Sequence, residues 1–280
     1  MVSLQNYRAE FKMRAMETLQ IGNAKLAFSN HGQGNPILFI HGIYASQRQW
    51  FQQIDYFASN HQVITCDLRG HGQSSATKNP YTVKLFADDL IALLDHMGLE
   101  QVTCCGHSFG GLVAQELALT YPDRIRALIL AETLYGVSST PWEAMTTYSL
   151  NIWAPEVLGV HNYVELMAQY FGIYTPGGKA YILREAERHL DDLHNQKNIL
   201  NASLAFDSRW RLQDINCPTL LMIGQYPHIL PVYWHNWEMY WRIKNARLQI
   251  IPGAGHMLFW YNPSSFNQAI TNFITQLPAI

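Results

Sequence analysis

The sequence predicts an α/β protein with a mostly parallel sheet, helices on both faces of that sheet and an inserted helical segment. Apolar strands alternate with helical stretches over most of the 280 residues, which is typical of a parallel sheet covered on both sides. The stretch Pro36–Ile40 is apolar at four consecutive positions after its proline, as expected for a strand buried on both faces. The alternation stops after about residue 135 and resumes near Pro218. We therefore predict an N-terminal extension over residues 1–15, a core over 16–134 and 209–280, and a helical cap over 135–208.

The predicted elements follow from periodicity and from turn residues. Two opening antiparallel strands are expected within residues 17–30, around the turn Gly22-Asn23. The stretch Val83–Met97 has apolar residues three and four apart, which predicts a helix, and Gly98 suits its end. Further strands are predicted at 36–40, 62–66, 102–105, 126–131, 218–224 and 247–251, and further helices at 49–59, 111–119, 232–243 and 263–277.

Composition narrows the range of partners. The chain is 48% hydrophobic, which is ample for a large core, and its formal net charge is −2 from 19 basic and 21 acidic residues. The absence of a basic tract argues against nucleic acid as a partner. No stretch is long and apolar enough to predict a membrane span, and the first residues do not resemble a signal peptide. The oligomeric state is left open between monomer and dimer.

Cysteine placement points to a reducing compartment. Cys66, Cys104 and Cys105 fall within or at the ends of apolar strands. Because Cys104 and Cys105 are adjacent, their side chains point to opposite faces of one strand. This pattern favours buried free thiols over a disulfide framework, and it predicts a cytoplasmic protein.

The segment Gly106-His107-Ser108-Phe109-Gly110 carries the strongest functional signal. It has the form G-x-S-x-G between an apolar strand and a helix. Such a turn is strained and raises the serine hydroxyl above the sheet. Glycines are needed at both ends because the strand and helix backbones pass too close for side chains. We predict that Ser108 is a nucleophile, with a tight structural turn as the alternative.

A serine hydroxyl needs a base to take its proton. His256 follows the last predicted strand in Gly253-Ala254-Gly255-His256, at the same sheet edge as Ser108. It is the predicted base, because the histidine comes last in triads of this architecture. The alternative is a histidine that only stabilises a loop. His228 and His235 lack metal-ligand spacing, so neither a metal nor another cofactor is predicted.

Attack on a carbonyl also needs donors for the developing oxyanion. The N–H of Phe109, directly after the nucleophile, is one predicted donor. The N–H of Ile43, in the loop after the first parallel strand, is the other. His41 is expected to stabilise a turn, and scaffolding roles are expected for three residues after the 62–66 strand, namely Asp67, Arg69 and His71.

Together these motifs resemble the α/β-hydrolase fold family. They occur in the order typical of that family, and the resemblance spans residues 17–277: His41-Gly42, Asp67-Leu68-Arg69-Gly70-His71-Gly72-Gln73-Ser74, Gly106-His107-Ser108-Phe109-Gly110-Gly111 and Gly253-Ala254-Gly255-His256. The resemblance implies an eight-stranded, mostly parallel sheet and Ser–His chemistry. Serine at 108 argues against epoxide hydrolases and haloalkane dehalogenases, which have aspartate there. It leaves esterases, lipases, thioesterases, C–C hydrolases, cofactor-free haloperoxidases and hydroxynitrile lyases open.

The chain departs from the family pattern at the triad acid. The family usually places an aspartate three residues after the glycine that corresponds to Gly224, and here that position is Pro227. Glu132 directly follows the neighbouring 126–131 strand, from which some family members, including some dehalogenases, take their acid. We predict that Glu132 is the triad acid. The alternatives are Glu132 as a solvated loop residue and Glu238 as the acid.

The predicted substrate is a small apolar acyl or aromatic compound. The aromatic residues of the predicted cap suggest apolar pocket walls, although they could equally join cap to core. The predicted pocket residues are Tyr44, His107, Trp142, Trp153, Phe171, Tyr174 and Met257.

The predicted function is that of a serine hydrolase cleaving a small-to-medium carboxylic ester through an acyl-enzyme. A thioesterase, a C–C hydrolase and a hydroxynitrile lyase would use the same Ser–His pair. A ligand sensor with little or no turnover is the alternative from another class, and Pro227 favours it.

Overall fold

The computed structural model describes residues 16–170, 176–190, 192–226 and 230–277. The predicted N-terminal extension, residues 1–15, lies outside the described residues. The strands form one eight-stranded sheet in the order β1-β2-β4-β3-β5-β6-β7-β8. Their bounds are β1 Glu17–Ile21, β2 Ala24–His31, β3 Pro36–Ile40, β4 Gln62–Cys66, β5 Val102–His107, β6 Ile125–Ala131, β7 Thr219–Gly224 and β8 Ala246–Ile251.

Strand direction determines where functional residues can meet. β1 and β2 form an antiparallel hairpin, and β2 also runs antiparallel to β4. All other neighbouring strands, from β4 through β8, are parallel. The parallel strands therefore end at one common edge of the sheet. The predicted α/β class with a mostly parallel, eight-stranded sheet is confirmed.

The helices fall into two groups. Those of the sheet region are α1 Phe51–Phe57, α2 Val83–His96, α3 Phe109–Thr120, α8 Leu230–Arg242, α9 Leu258–Tyr261 and α10 Pro263–Ile274. Those between β6 and β7, called here the inserted helices, are α4 Pro141–Tyr148, a π-helical turn Ser149–Trp153, α5 Ala154–Tyr170, α6 Pro176–Leu190 and α7 Leu193–Leu204. Three short 3₁₀ turns lie at Gln47–Trp50, Pro122–Arg124 and Arg209–Asp214. The predicted 49–59 helix begins as the first of these turns, and the last helix ends at Ile274 rather than at residue 277.

The hydrophobic core has two layers, one on each face of the sheet. Leu38 and Ile40 pack on one face against α2 and α3, whereas Ile37 and Phe39 pack on the other against α1 and α10. Successive strand residues thus alternate between two buried layers, which explains the continuous apolar runs. Helices cover both faces, as the sequence predicts.

The cysteines follow the same alternation. Cys104 belongs to one core layer and Cys105 to the other. Cys66, Cys104, Cys105 and Cys217 are all free thiols. The cytoplasmic location stays a prediction. In the described part of the chain, none of the helices combines the length and apolar character that crossing a bilayer requires.

A buried ion pair holds the loop after β4. Arg69 donates from Nη2 to Asp89 Oδ1 at 2.6 Å and from Nε to Oδ2 at 2.8 Å, and both side chains are buried. In the same loop Asp67 accepts the Gln47 N–H at 2.7 Å and the Gln73 N–H at 2.8 Å. These contacts join the loop to α2 and to the turn before α1. Asp67 and Arg69 therefore act as scaffold in this structure.

Replacing Asp89 by Asn should lower the free energy of unfolding by about 3 kcal/mol, because it leaves the Arg69 guanidinium buried without a countercharge. Urea denaturation of both proteins measures this difference. As a control, Lys84→Gln breaks a surface ion pair with Asp88 and should cost no more than about 0.5 kcal/mol. Equal losses in the two variants would contradict a structural role for the buried pair.

Candidate active site

Ser108 lies on a strained turn between β5 and α3. Its φ of 53° and ψ of −118° are unfavourable for a residue with a side chain. Glycines make the turn possible. A Cβ on Gly106 would lie 2.3 Å from the Gly110 carbonyl oxygen, and a Cβ on Gly110 would lie 2.4 Å from the Ile40 carbonyl oxygen. The elbow therefore packs against the end of β3 with no room for side chains at these two positions.

Hydrogen bonds hold this turn in its strained shape. The Ser108 N–H donates to the Ala131 carbonyl at 3.0 Å, which extends the pairing of β5 with β6. The Ser108 carbonyl accepts the Gly111 N–H at 2.9 Å and the Thr133 hydroxyl at 2.7 Å. The Ser108 side chain does not cap α3, and it lines two clefts described below.

Glu132 is placed beside this turn by β6. Its N–H donates to the Met222 carbonyl at 2.8 Å, and its Oε1 accepts the Gly224 N–H. The side chain is only 1% exposed. Glu132 is therefore a buried carboxylate at the sheet edge, which excludes the alternative of a solvated loop residue.

His256 meets Glu132 at the same edge. Its Nδ1 lies 3.5 Å from Glu132 Oε2, and its side chain is 9% exposed. This separation exceeds the usual 2.7–3.2 Å of an N–H···O hydrogen bond, and catalytic contacts are often long without substrate. His107 donates from Nε2 to the His256 carbonyl at 3.0 Å, so the strand before the nucleophile also holds the histidine loop. Burial lowers the pKa of His107 well below its usual value, and its ring stays neutral.

Glu238, the alternative acid, is engaged elsewhere. Its Oε1 accepts a hydrogen bond from Arg209 Nε at 2.8 Å and another from Arg242 Nε at 2.8 Å. Burial alone would raise the pKa of Glu238, but the hydrogen bonds from Arg209, Tyr135 and Arg242 outweigh it and lower the pKa. Glu238 thus belongs to an ion-pair cluster on α8. Pro227, the position of the usual family acid, lies outside the described residues.

The loop after β3 packs directly on the nucleophile turn. A Cβ on Gly42 would lie 3.4 Å from Ser108 Cβ and 3.1 Å from His107 Nδ1. Ile43 lines both clefts and Phe109 lines one of them. As the first residue of α3, Phe109 has an N–H without an acceptor in its own helix. His41 Nε2 accepts the Leu68 N–H at 2.9 Å, so His41 joins this loop to the end of β4.

Backbone strain is concentrated at this edge of the sheet. Among the described residues, the non-glycine positions with positive φ are Tyr44 at 53°, Ser108 at 53° and Glu132 at 46°. Each of the three lines at least one of the two clefts: Glu132 the first, Tyr44 the second and Ser108 both. Strained backbone costs free energy and is concentrated at functional sites in proteins. The coincidence makes this edge of the sheet the candidate functional site.

Two clefts meet at Ser108. The first cleft has a cavity volume of about 140 Å³, and Glu132 and Phe109 line it together with mainly apolar residues: Leu112, Leu134, Val137, Leu150, Leu200 and Val232. The second cleft has a cavity volume of about 110 Å³. Ile43, Ser108, Asn151 and His256 line both. The nucleophile and the histidine therefore lie where the two clefts join.

The structure separates the predicted pocket residues into three groups. Tyr44, His107 and Met257 line the second cleft. Trp142 and Trp153 do not fit the prediction, because their side chains are 71% and 66% exposed at the surface. Phe171 and Tyr174 lie outside the described residues.

The misplacement of the two tryptophans has a physical reason. Asn151 points into the clefts, and Trp153 follows it by two residues, which turns it away on a helix. Trp142 shares a face of α4 with the cleft-lining Thr146, but it lies one turn earlier, where Thr140 and Pro141 are also exposed. Aromatic content alone does not indicate which helix face is turned inward.

Several cleft residues were not predicted from the sequence. Tyr163, Tyr181 and Glu185 of the inserted helices line the second cleft, and Asn151 of the π-helical turn lines both. The two tyrosines belong to the aromatic set of the 135–208 region, but no local pattern distinguishes them from the exposed tryptophans. Within the described residues, no three His, Cys, Asp or Glu side chains are grouped as metal ligands would be.

Comparison with known proteins supports the fold described above. A family model described as the alpha/beta hydrolase fold matches residues 35–164. A protein of Azorhizobium caulinodans designated carbamate hydrolase RutD is 30% identical, over 91% of this chain and 97% of that protein. The 3-oxoadipate enol-lactonase 2 of Acinetobacter baylyi is 28% identical, over 91% of this chain and 94% of that protein. The solved structure of a thermophilic esterase from Thermogutta terrifontis is similar with a TM-score of 0.81 and 26% identity, covering 95% of this chain and 100% of that one.

Replacing Thr133 by Val should slow the reaction of Ser108 with a fluorophosphonate probe several-fold, because the hydroxyl that holds the Ser108 carbonyl is lost. Thr133→Ser keeps that hydroxyl and should react at nearly the rate of the unchanged protein. Each variant should lose about 1 kcal/mol of stability, the first from the hydrogen bond and the second from a buried methyl group. Because both variants lose about the same stability, a difference between their labelling rates reports the positioning of Ser108. Equal rates in the two variants would contradict the role assigned to the hydroxyl.

Proposed function

The chain belongs to the α/β-hydrolase fold family, and from this premise we propose that it is a serine hydrolase that cleaves a small-to-medium carboxylic ester. The relatives named above support a hydrolase at the coarser level. Ser108 is the proposed nucleophile, His256 the base and Glu132 the acid of the triad. The observation that carries the proposal is that all three residues line the first cleft, with Glu132 Oε2 3.5 Å from His256 Nδ1.

The proposed reaction has two halves. His256 takes the proton of the Ser108 hydroxyl as its oxygen attacks the ester carbonyl carbon, and the carbonyl oxygen becomes an oxyanion. When this intermediate collapses, the protonated histidine gives its proton to the departing alcohol, and the acyl group stays on Ser108. Water then attacks the acyl carbon with His256 as base. Collapse of the second intermediate returns the proton to Ser108 and releases the carboxylic acid.

Two groups stabilise charge in this scheme. The N–H groups of Ile43 and Phe109 are the proposed oxyanion donors, which is consistent with their positions beside Ser108 at the first cleft. Glu132 accepts the Nδ1–H of His256, which leaves Nε2 free as the base and stabilises the imidazolium. Because its other oxygen accepts the Gly224 N–H, the carboxylate cannot easily turn away.

The two clefts suggest how an ester is held. We place the acyl group on one side of Ser108 and the alcohol on the other, one in each cleft. The mainly apolar walls of the first cleft favour uncharged acyl or aromatic groups. The inserted helices supply walls to both clefts, for example Leu150 and Leu200 in the first and Ile182 in the second. This supports a cap role for the segment 135–208.

The paired acid also bears on the alternative of a ligand sensor. Pro227 favours that alternative only if the triad acid is missing, and Glu132 offers a carboxylate in reach of His256. The site therefore supports catalysis better than ligand sensing. Thioesters and C–C bonds next to a carbonyl would use the same residues, and a substrate panel distinguishes them.

Glu132→Gln should lower kcat for p-nitrophenyl ester hydrolysis by orders of magnitude, with about 10⁴ as the reference loss for a triad acid. The glutamine side chain keeps the size and the contact with Gly224, but it can favour the wrong histidine tautomer. Ser108→Ala should abolish both hydrolysis and fluorophosphonate labelling. Steady-state kinetics and mass spectrometry measure these effects.

The matched control is Glu238→Gln, which removes the same charge from the ion-pair cluster on α8. Its activity should stay close to that of the unchanged protein. If Glu132→Gln kept its activity and Glu238→Gln lost it, the acid assignment would be wrong. Labelling of a residue other than Ser108 would reject the proposed function itself.

A further inference from the structure

Helix α8 carries aromatic side chains on its outward side. Trp234, Trp237 and Trp241 are spaced three and four residues apart, so they lie along one side of the helix. Their exposed fractions are 74%, 43% and 77%. The opposite side of the helix belongs to the hydrophobic core through Met239 and Ile243. Helix α8 is therefore apolar on both sides, whereas the outer side of a helix on a globular protein is ordinarily polar.

A fourth exposed indole borders this stripe. Trp210 is 69% exposed and lies beside α8, because the guanidinium of Arg242 packs on its ring. The distance from Arg242 Cζ to the ring centroid is 4.9 Å. We call the four residues the tryptophan face: Trp210, Trp234, Trp237 and Trp241.

The tryptophan face is large enough for a specific contact between proteins. An indole side chain has up to about 250 Å² of surface, so the four exposed fractions amount to about 600 Å² of mainly apolar surface. This is the upper end of the range for the largest apolar patch on an ordinary monomer. If two copies covered it, the indoles alone would bury about 1,200 Å², which is the lower limit for stable interfaces.

The face is ordered before any partner arrives. The Tyr240 ring packs edge-on against Trp237, with 5.9 Å between ring centroids, and against Trp241, with 5.5 Å. The Arg242 guanidinium covers part of Trp210 in the same way. Side chains that are already ordered lose little conformational entropy on association, so more of the apolar contact contributes to affinity.

The charges around the face favour a second copy of the chain over an acidic surface. Glu238 accepts hydrogen bonds from Arg209 and Arg242, so these three charges are engaged within the molecule. Lys244, just beyond α8, is exposed. Recognition of an anionic membrane uses clusters of about four to eight basic residues, and the two arginines at this face are already paired. The formal net charge of the chain is only −2, so two copies repel each other weakly.

The spacing along α8 suits a two-fold axis. In a symmetric dimer each contact between two different residues occurs twice, once in each direction. Trp237 lies near the middle of the stripe, since Trp234 precedes it by three residues and Trp241 follows it by four. Two antiparallel α8 helices therefore bring Trp237 against its own copy and Trp234 against Trp241 of the other copy.

We propose that two copies of this chain associate through the tryptophan face, with their α8 helices antiparallel across a two-fold axis near Trp237. This inference goes beyond the proposed function and does not depend on it. Each copy keeps its own first cleft, because Val232 lines that cleft from the buried side of α8, away from the tryptophan face.

Sedimentation equilibrium of the full chain measures the association. At micromolar concentrations the unchanged protein should reach twice the 32.1 kDa of one chain. Trp237→Glu places two carboxylates against each other at the axis and should weaken association by about 100-fold or more, because a central contact is lost in both copies. Trp153→Glu is the matched control, since it makes the same change at an exposed tryptophan outside the face. It should leave the mass unchanged.

Two results of this experiment would overturn the proposal. The first is the mass of a single chain throughout the micromolar range in the unchanged protein. The second is equal association of Trp237→Glu and Trp153→Glu, because the contact would then lie elsewhere on the surface.

A second measurement covers the case that Trp237→Glu does not fold. Trp237→Cys places one thiol of each copy near the axis, so a short bis-maleimide should link the two chains. Trp153→Cys should give little linked product under the same conditions. The natural cysteines interfere little, because three are buried and Cys217 is half-buried. Equal linking in the two variants would count against the antiparallel arrangement.

A lipid surface is the competing occupant of the tryptophan face, because indole rings also favour the boundary between lipid and water. In that case the chain should sediment as a single copy and should bind phosphatidylcholine vesicles, with binding weakened in Trp237→Glu and kept in Trp153→Glu. This combination would reject the dimer. Doubled mass in the unchanged protein, a single-chain mass in Trp237→Glu and no vesicle binding would support it.

Discussion

The parallel pairing of β5 with β6 is the interaction on which the rest of the site depends. Gly106 lies opposite Leu130 and His107 opposite Ala131, and the Ser108 N–H continues the ladder to the Ala131 carbonyl. Because neighbouring strands are about 4.8 Å apart, Ser108 and Glu132 leave the sheet side by side. His256 needs only to reach this edge to meet both. The glycines of the elbow and the Thr133 hydroxyl then hold the arrangement despite the unfavourable backbone angles.

Much of this arrangement could be predicted from local sequence. The G-x-S-x-G turn requires a strand before it and a helix after it, and β5 and α3 supply them. Glu132 could be found because a residue that directly follows a buried strand must lie at the edge where parallel strands end. Alternation of strands and helices predicts parallel strands that end at one edge, but the role of the strand before Glu132 came from the resemblance to the α/β-hydrolase fold family, and the structure places β6 beside β5. The predicted ends of the helices differ from the observed ends by a few residues, because helix ends are set by capping and tertiary contacts.

The inserted helices could not be predicted in the same way. Their positions depend on packing against the sheet edge, and α5 also has a break at Gly159, with φ of 72°. Large aromatic side chains suggested pocket walls, yet Trp142 and Trp153 are exposed while Tyr163 and Tyr181 are buried. Sequence alone does not distinguish an inward tyrosine from an outward tryptophan when the orientation of the helix is unknown. Glu185 was missed for the same reason, since a glutamate in a helix usually faces water.

A triad acid at the end of β6, as proposed for Glu132, changes which positions of this protein can vary without loss of activity. With Glu132 in its proposed role, the triad needs no side chain from the connection between β7 and α8, so a proline at position 227 is compatible with an intact triad. Selection then requires of that connection only that it link a strand to a helix. Mutational drift there leaves the proposed proton-transfer residues unchanged, because Ser108 and Glu132 directly follow β5 and β6 and His256 follows β8.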